Sequence, residues 1–219
     1  MNSFPNQTQI VDAVLLGIKT AKQNFTYWTV DELSLSYAPP KFLSIHVSQE
    51  IAKIENSPEI FIDATVVDIL KCSLSHKESF REVMKNNMLA QSKMSLTLDE
   101  RFEHKNDDDS VSRVIITLKN GVRNAKDEYK KDVETLCKML QRKNRDDSSL
   151  DYALFAFSLE ISSNARIRAD KRVEEIISMF DEVVSSYKNL QSSFKGGDIT
   201  TVNNIGEWCV GCYIIEPII

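Results

Sequence analysis

The sequence predicts an α/β fold: a single domain with a central mixed β-sheet, made of a hairpin plus further strands, flanked by helices. Three observations carry that prediction. Apolar residues recur at helical spacing in some segments and in strand-like runs in others, and the two kinds are interspersed without strict alternation. At 219 residues, with 42% apolar and 27% charged residues, the chain has material for one sizeable core and is neither disordered nor fibrous in composition. No repeat, low-complexity segment or linker divides it, so 1–219 reads as one domain. Residues 1–58 form its helical N-terminal part, 59–161 its strand-rich core, and 162–219 a long helix with a last strand.

Residues 8–23 place Ile10, Val11, Val14, Leu15 and Ile18 on one helical face. Thr29-Val30-Asp31-Glu32 has the form of a capping box, in which the Thr29 hydroxyl and Glu32 carboxylate serve the first amides of a short helical turn. Ala38-Pro39-Pro40 introduces a second helix over 41–54, with Leu43, Val47, Ile51 and Ile54 on its face. Pro58 ends that unit, and 59–70, rich in Ile, Val, Thr and Phe, reads as a strand. A helix over 77–90, with Phe80, Val83, Met84 and Met88 in phase, leads into a long hairpin. Its strands are 94–102 and 111–119, its loop is the polar stretch 103–110, and Asn120-Gly121 stops the second strand. A helix over 125–141 carries Tyr129, Val133, Leu136, Cys137 and Leu140 on one face, and the apolar run 152–160 is the next strand. Residues 164–194 read as one long amphipathic helix, its stripe running from Val173 through Phe180 and Val184 to Leu190 and Phe194. Gly196-Gly197 closes it before the final strand.

Several function classes drop out. A net charge of −5 gives the molecule no overall attraction for nucleic acid, so any basic surface is local. The first residues lack a basic stretch followed by an apolar run, and no segment approaches the ~18 apolar residues of a bilayer span, so a cytoplasmic protein with no membrane partner is expected. Cys72, Cys137, Cys209 and Cys212 are dispersed, and reduced thiols are expected. Cys209-Val210-Gly211-Cys212 has the spacing of half a zinc site, but it has no second pair or nearby histidine and lies in a strand-like run, so packed cysteines are expected. His46, His76 and His104 are far apart, with no basis for a metal site or triad, and His46 sits beside an apolar helix face as a satisfied core or boundary residue. None of the six glycines belongs to a phosphate-cradling pattern. Asp107-Asp108-Asp109 is a solvated run at the hairpin tip, without the alternating spacing of a calcium loop.

Residues 90–161 carry a resemblance. Hairpin, Lys119 at the end of its second strand, polar turn, helix bearing Asp132 and apolar strand together resemble the PD-(D/E)XK restriction-endonuclease-like fold, and 38–54 is similar to the helix that often precedes that core. In the family, an Asp on the first hairpin strand and a Glu two residues before the Lys chelate Mg²⁺, and metal and lysine activate water against a phosphodiester. Matched on Lys119, the Glu position is Thr117 and the Asp position is Ser95. Two neutral hydroxyls stand where a hard cation needs charge.

The resemblance therefore implies a pseudo-nuclease that needs no cofactor and works through a protein partner, such as an accessory subunit of a bacterial defence or DNA-processing complex. Two alternatives stay open. In one, the carboxylates are displaced: Asp99 lies on the face of Ser95, and Asp63, Asp127, Glu128 or Asp132 completes an active Mg-dependent nuclease with Lys119 and Asp99 as its catalytic residues. In the other, the acidic chain is an immunity or inhibitor protein for a basic partner. The bland reading of Lys119 is a solvated strand end. Arg142, Lys143 and Arg145, with Arg166, Arg168, Lys171 and Arg172, are the basic groups available to touch phosphate or nucleic acid, and acids are interleaved with them.

Overall fold

A computed structural model describes residues 4–30, 32–75, 80–81, 92–104, 107–202 and 206–218, without the side chains of 101–109 and 202. In chain order its elements are α1 (Gln7–Trp28), a 3-10 turn (Leu35–Tyr37), α2 (Phe42–Ile51), β1 (Glu59–Ile62), α3 (Val66–Ser73), β2 (Leu96–His104) and β3 (Asp107–Val122). There follow α4 (Asp127–Leu140), a second 3-10 turn (Arg145–Asp147), β4 (Tyr152–Ser162), α5 (Ala169–Val184), β5 (Leu190–Gly196), β6 (Thr200–Val202) and β7 (Gly206–Pro217).

The described strands form one seven-stranded mixed sheet, ordered β1-β2-β3-β4-β7-β5, with β6 also on β7. β3 and β4 are parallel, joined through α4, and the other pairs are antiparallel. A parallel pair needs such a crossover, because its connection must return the full length of the strand. Buried on both faces, β4 reads as an unbroken apolar run from Tyr152 to Phe157, which is the pattern of a central strand.

Strand alternation sorts the core into two layers. On one face Leu96, Leu98, Val114, Ile116 and Leu154 meet Ile10, Val14 and Ile18 of α1 and Leu43, Val47 and Ile51 of α2. On the other, Ile115, Phe155, Phe157 and Tyr213 meet Ile69 and Leu70 of α3, Val133 and Leu136 of α4, and Ile176 and Phe180 of α5. The result is a helix–sheet–helix sandwich. α1 starts where Asn6 and Gln9 exchange bonds between side chain and main-chain amide, so two of the opening N–H groups are satisfied. Gly17 lets α2 approach: a Cβ there would lie 2.5 Å from the Val47 Cα.

Five expectations are corrected. Thr29 does not open a helix. It is the C-cap of α1, its hydroxyl donating back to the Phe25 carbonyl at 2.8 Å, and the following turn is capped by Ser34. Residues 59–70 are a four-residue strand followed by α3, because Thr65 bonds the Asp68 amide and Val66, Ile69 and Leu70 then fall on one buried helical face. The stripe over 164–194 spans two elements. α5 stops at Val184, and Leu190 and Phe194 belong to β5, where period-2 positions coincide with the helical phase. The hairpin strands run on to His104 and from Asp107, so the polar stretch 103–110 is mostly strand backbone. Asn120-Gly121 interrupts β3 with a register shift but does not end it. The helix expected over 77–90 lies outside the described residues apart from 80–81, which are helical. No helix among the described residues is long and apolar enough to cross a membrane.

Candidate functional site

β2 and β3 bring Ser95, Thr117 and Lys119 to one end of the sheet, because Leu96 pairs with Ile116 and the next residues run out together toward the helix layer. Each hydroxyl there is committed to the frame. The Leu118 amide donates to Ser95 Oγ at 2.9 Å, extending the β2–β3 ladder by one bond after its main-chain pairing ends. Thr117 is 7% exposed, and its Oγ1 donates to Met94 Sδ at 3.7 Å. Two short neutral side chains already bonded to backbone and thioether do not make a site for Mg²⁺, which selects carboxylate oxygens. The donor set does not fit the metal that the resemblance implies. Among the described residues, no group of three or more His, Cys, Asp or Glu side chains is placed to hold a metal ion.

Lys119 is not a solvated strand end. Its Nζ lies 2.7 Å from Asp132 Oδ2 and 3.2 Å from Glu128 Oε1, both on α4, and 5.8 Å from the centre of the Tyr129 ring. Its side chain is 23% exposed. Burial alone would lower its pKa, but the hydrogen bonds and charges of Asp132 and Glu128 outweigh burial and hold it above the ordinary lysine value. Burial pushes the Asp132 carboxyl up, and the Lys119 ammonium opposes that shift. Helical spacing explains the convergence, since residues 128 and 132 are one turn apart on the face of α4 that crosses the end of β3.

Asp99 is elsewhere. It pairs with Ser112, and Lys119 is seven residues further along β3, so roughly 20 Å separates them at ~3.3 Å per residue. A cation shared by Asp99 and Lys119 is not available in this fold. Asp63 is nearer: its amide donates to the Ser95 carbonyl at 3.3 Å. It takes the left-handed conformation (φ 59°), and its carboxylate pairs with Lys41 Nζ at 2.6 Å. Asp127 opens α4 as its first residue.

The basic candidates do not converge on Lys119. Arg142 and Arg145 border a separate cavity of about 710 Å³ with Arg113, Asp146 and Asp151, while Lys143 is not among its walls. Arg142 Nη1 donates to the carbonyls of Ser148 (2.7 Å) and Arg145 (3.1 Å), and Arg113 is paired with Asp151 (2.8 Å) and Glu100 (3.1 Å). Arg168, Lys171 and Arg172 pair with Glu207, Glu174 and Glu175. Interleaved acids thus neutralise much of the basic surface locally.

The remaining titratable candidates are structural. His46 is buried, its ring nitrogens 2.9 Å from the Phe42 carbonyl and 2.9 Å from Asn24 Nδ2. Cys209 and Cys212 are buried in β7, and burial pushes the Cys209 thiol up to about 11 and Cys212 higher still. His76 lies outside the described residues, as do the side chains of His104 and Asp107–Asp109.

Sequence reasoning named Glu128 and Asp132 as candidates beside Lys119 but not as its ion-pair partners, and it missed the surroundings of Asp99. Glu128 and Asp132 were legible as a helical pair, but nothing local says which strand end that pair reaches. No protein-family model matches this chain, and no curated protein or solved structure is significantly similar to it.

Proposed function

We propose that this chain is a pseudo-nuclease of restriction-endonuclease-like architecture that acts by associating with a protein partner, not by hydrolysis. The order of elements supports the architecture: helix, a three-strand meander β1-β2-β3, crossover helix and a parallel fourth strand. One observation carries the loss of chemistry. Ser95 and Thr117 are spent on the frame, and Lys119, the residue that would assist water activation, is spent on Asp132 and Glu128. An accessory subunit of a defence or DNA-processing complex is the setting this reading favours.

The convergence of Asp132 and Glu128 on Lys119 favours a second reading, a Mg-dependent nuclease whose carboxylates have moved to α4. A cleavage assay separates the two. Purified protein is incubated with Mg²⁺ or Mn²⁺ and linear, circular and single-stranded DNA and RNA. No cutting is expected. Robust cutting that is abolished by Lys119→Ala and by Asp132→Asn overturns the pseudo-nuclease and leaves the displaced-carboxylate enzyme.

A further inference from the structure

Between α3 and the β1–β2–β3 corner lies a cavity of about 280 Å³, on the same face of the sheet as Lys119 but far along the strands from it. Asp99, Thr97, Ser110 and Ser112 line its polar side, and Phe61, Ile62 and Ile69 are among its apolar walls. None of the described residues lining it is basic.

Two polar side chains there each keep one oxygen without a partner among the described residues. Asp99 is 4% exposed and Thr97 2%, and neither Asp99 Oδ1 nor Thr97 Oγ1 has a hydrogen-bond partner among the described residues. The Ser112 and Ser110 hydroxyls donate to the Asp99 carboxyl, but no cation pairs with it among the described residues. A carboxylate is acceptor-only, and a hydroxyl that has donated its proton keeps its lone pairs, so this side of the cavity is short of donors and of positive charge. Asp68 lines the cavity and Glu59 lies close enough to raise the Asp99 carboxyl, while Lys71 is directed at Asp68. Burial and the Glu59 charge make an ionised Asp99 unfavourable as it stands.

The apolar side is open where the polar side is closed. Phe61 and Ile62 of the edge strand β1 are 45% and 41% exposed, large apolar side chains at the cavity rim. An alkylammonium group matches both halves. Its nitrogen has three donors, no acceptor and one positive charge, and its stem is a short chain of methylenes.

We infer that this cavity is a binding site for a primary alkylammonium group, with Asp99 as its counter-ion, Thr97 as a further acceptor and Phe61, Ile62 and Ile69 around the stem. The site shares no residue with the Lys119 cluster, so it stands or falls independently of the pseudo-nuclease reading. A free amine and a lysine side chain of a partner polypeptide present the same chemistry, and the probes below distinguish them.

The test is ligand-observed NMR titration of the full chain with n-butylammonium chloride, n-butanol and Nα-acetyl-lysine N-methylamide. Saturable binding of n-butylammonium is expected, with n-butanol weaker by about tenfold or more because it cannot form the ion pair. Asp99→Asn should weaken n-butylammonium by a similar factor. Phe61→Lys, a change on an exposed edge position, should block the site by supplying its own tethered ammonium, which guards against a folding defect in the first variant. Lys119→Ala should bind like the parent. Tighter binding of the lysine derivative than of n-butylammonium assigns the site to a partner's lysine, and the reverse assigns it to a free amine. No saturable binding by the parent, equal binding of n-butanol, or unchanged binding in both Asp99→Asn and Phe61→Lys overturns the inference.

Discussion

Lys119 Nζ stands 2.7 Å from Asp132 Oδ2, which makes the lysine at the end of β3 a counter-ion for α4. The pair is partly buried, so its worth lies between the ~0–1 kcal/mol of exposed pairs and the ~3–5 kcal/mol lost on breaking buried ones. Lys119→Ala should therefore cost about 1–3 kcal/mol in urea unfolding, and a double-mutant cycle with Asp132→Ala should return a coupling of about 1 kcal/mol. Because the folded-state pKa of Lys119 is raised, its contribution is fully present below the ordinary lysine value of ~10.4 and fades as pH climbs through the raised value. The stability gap between parent and Lys119→Ala should narrow only in that alkaline range. A gap that closes near neutrality contradicts the assignment.

Asp99 costs stability at neutral pH where Lys119 adds it. Burial raises its folded pKa, so the folded state binds a proton more readily than the unfolded chain, and stability falls as pH rises from ~4 through the raised value. Asp99→Asn removes that cost while keeping an acceptor for Ser112. Chemical denaturation should find the variant more stable than the parent at pH 7, with the advantage shrinking as pH falls through the raised value and gone below pH ~4. A variant less stable than the parent at pH 7 speaks against an unpaired buried carboxylate.

Placing carboxylates at the two hydroxyl positions should create affinity for metal. Ser95→Asp with Thr117→Glu sets two carboxylates at the end of the hairpin, each able to replace the neutral donor now present. Calorimetric titration with Mn²⁺ should show saturable binding in the folded double variant and none in Ser95→Asn with Thr117→Gln. Equal heats in the two variants mean that the row is not where a cation sits.

Cysteine labelling tests the packing of β7. Cys72 is exposed, whereas Cys137, Cys209 and Cys212 are buried, with the Cys137 and Cys209 thiols pushed up by burial to about 12 and about 11. Native protein treated with a thiol reagent at pH 8 should release one equivalent, lost in Cys72→Ser, and the other three should react only after unfolding. Rapid labelling of Cys209 or Cys212 in the native state contradicts a buried β7.

Gly121 ties the first 3-10 turn to the end of β3. Its φ is +62°, and a Cβ there would sit 2.4 Å from Ser36 Cβ, beside the bond from Asn120 Nδ2 to the Leu35 carbonyl (2.6 Å). Gly121→Ala should cost at least about 1–2 kcal/mol, the usual penalty of the left-handed region, with the contact to Ser36 adding to it. Thermal unfolding that leaves Tm unchanged means the turn is not anchored there.

Much of the fold was legible where one element answers to one local period. α1, α2, the hairpin, α4 and β4 fall where apolar spacing put them, with ends shifted by a few residues. The errors share a cause. Val66 and Val67 are β-branched and look like strand, but the Thr65 cap and the burial of Val66, Ile69 and Leu70 against the sheet make that segment helical. Tyr187, Leu190 and Phe194 continue the phase of α5, but the chain turns after Val184 and Leu190 joins β7 as a strand neighbour. Local spacing cannot see a turn that keeps the phase.

At Lys119 the sequence alone determined the inventory: a lysine at a strand end, hydroxyls at Ser95 and Thr117 where carboxylates would serve a metal, and two acids a turn apart at Glu128 and Asp132. Those facts are covalent, and no folding alters them. Only the tertiary structure decided that α4 packs so that both acids meet Lys119, and that Asp99 is carried away along the ladder into a cavity with no basic side chain among the described residues. Charge pairing depends on distances across the sheet and between layers, set by the register and the crossover, which span far more residues than any local pattern records.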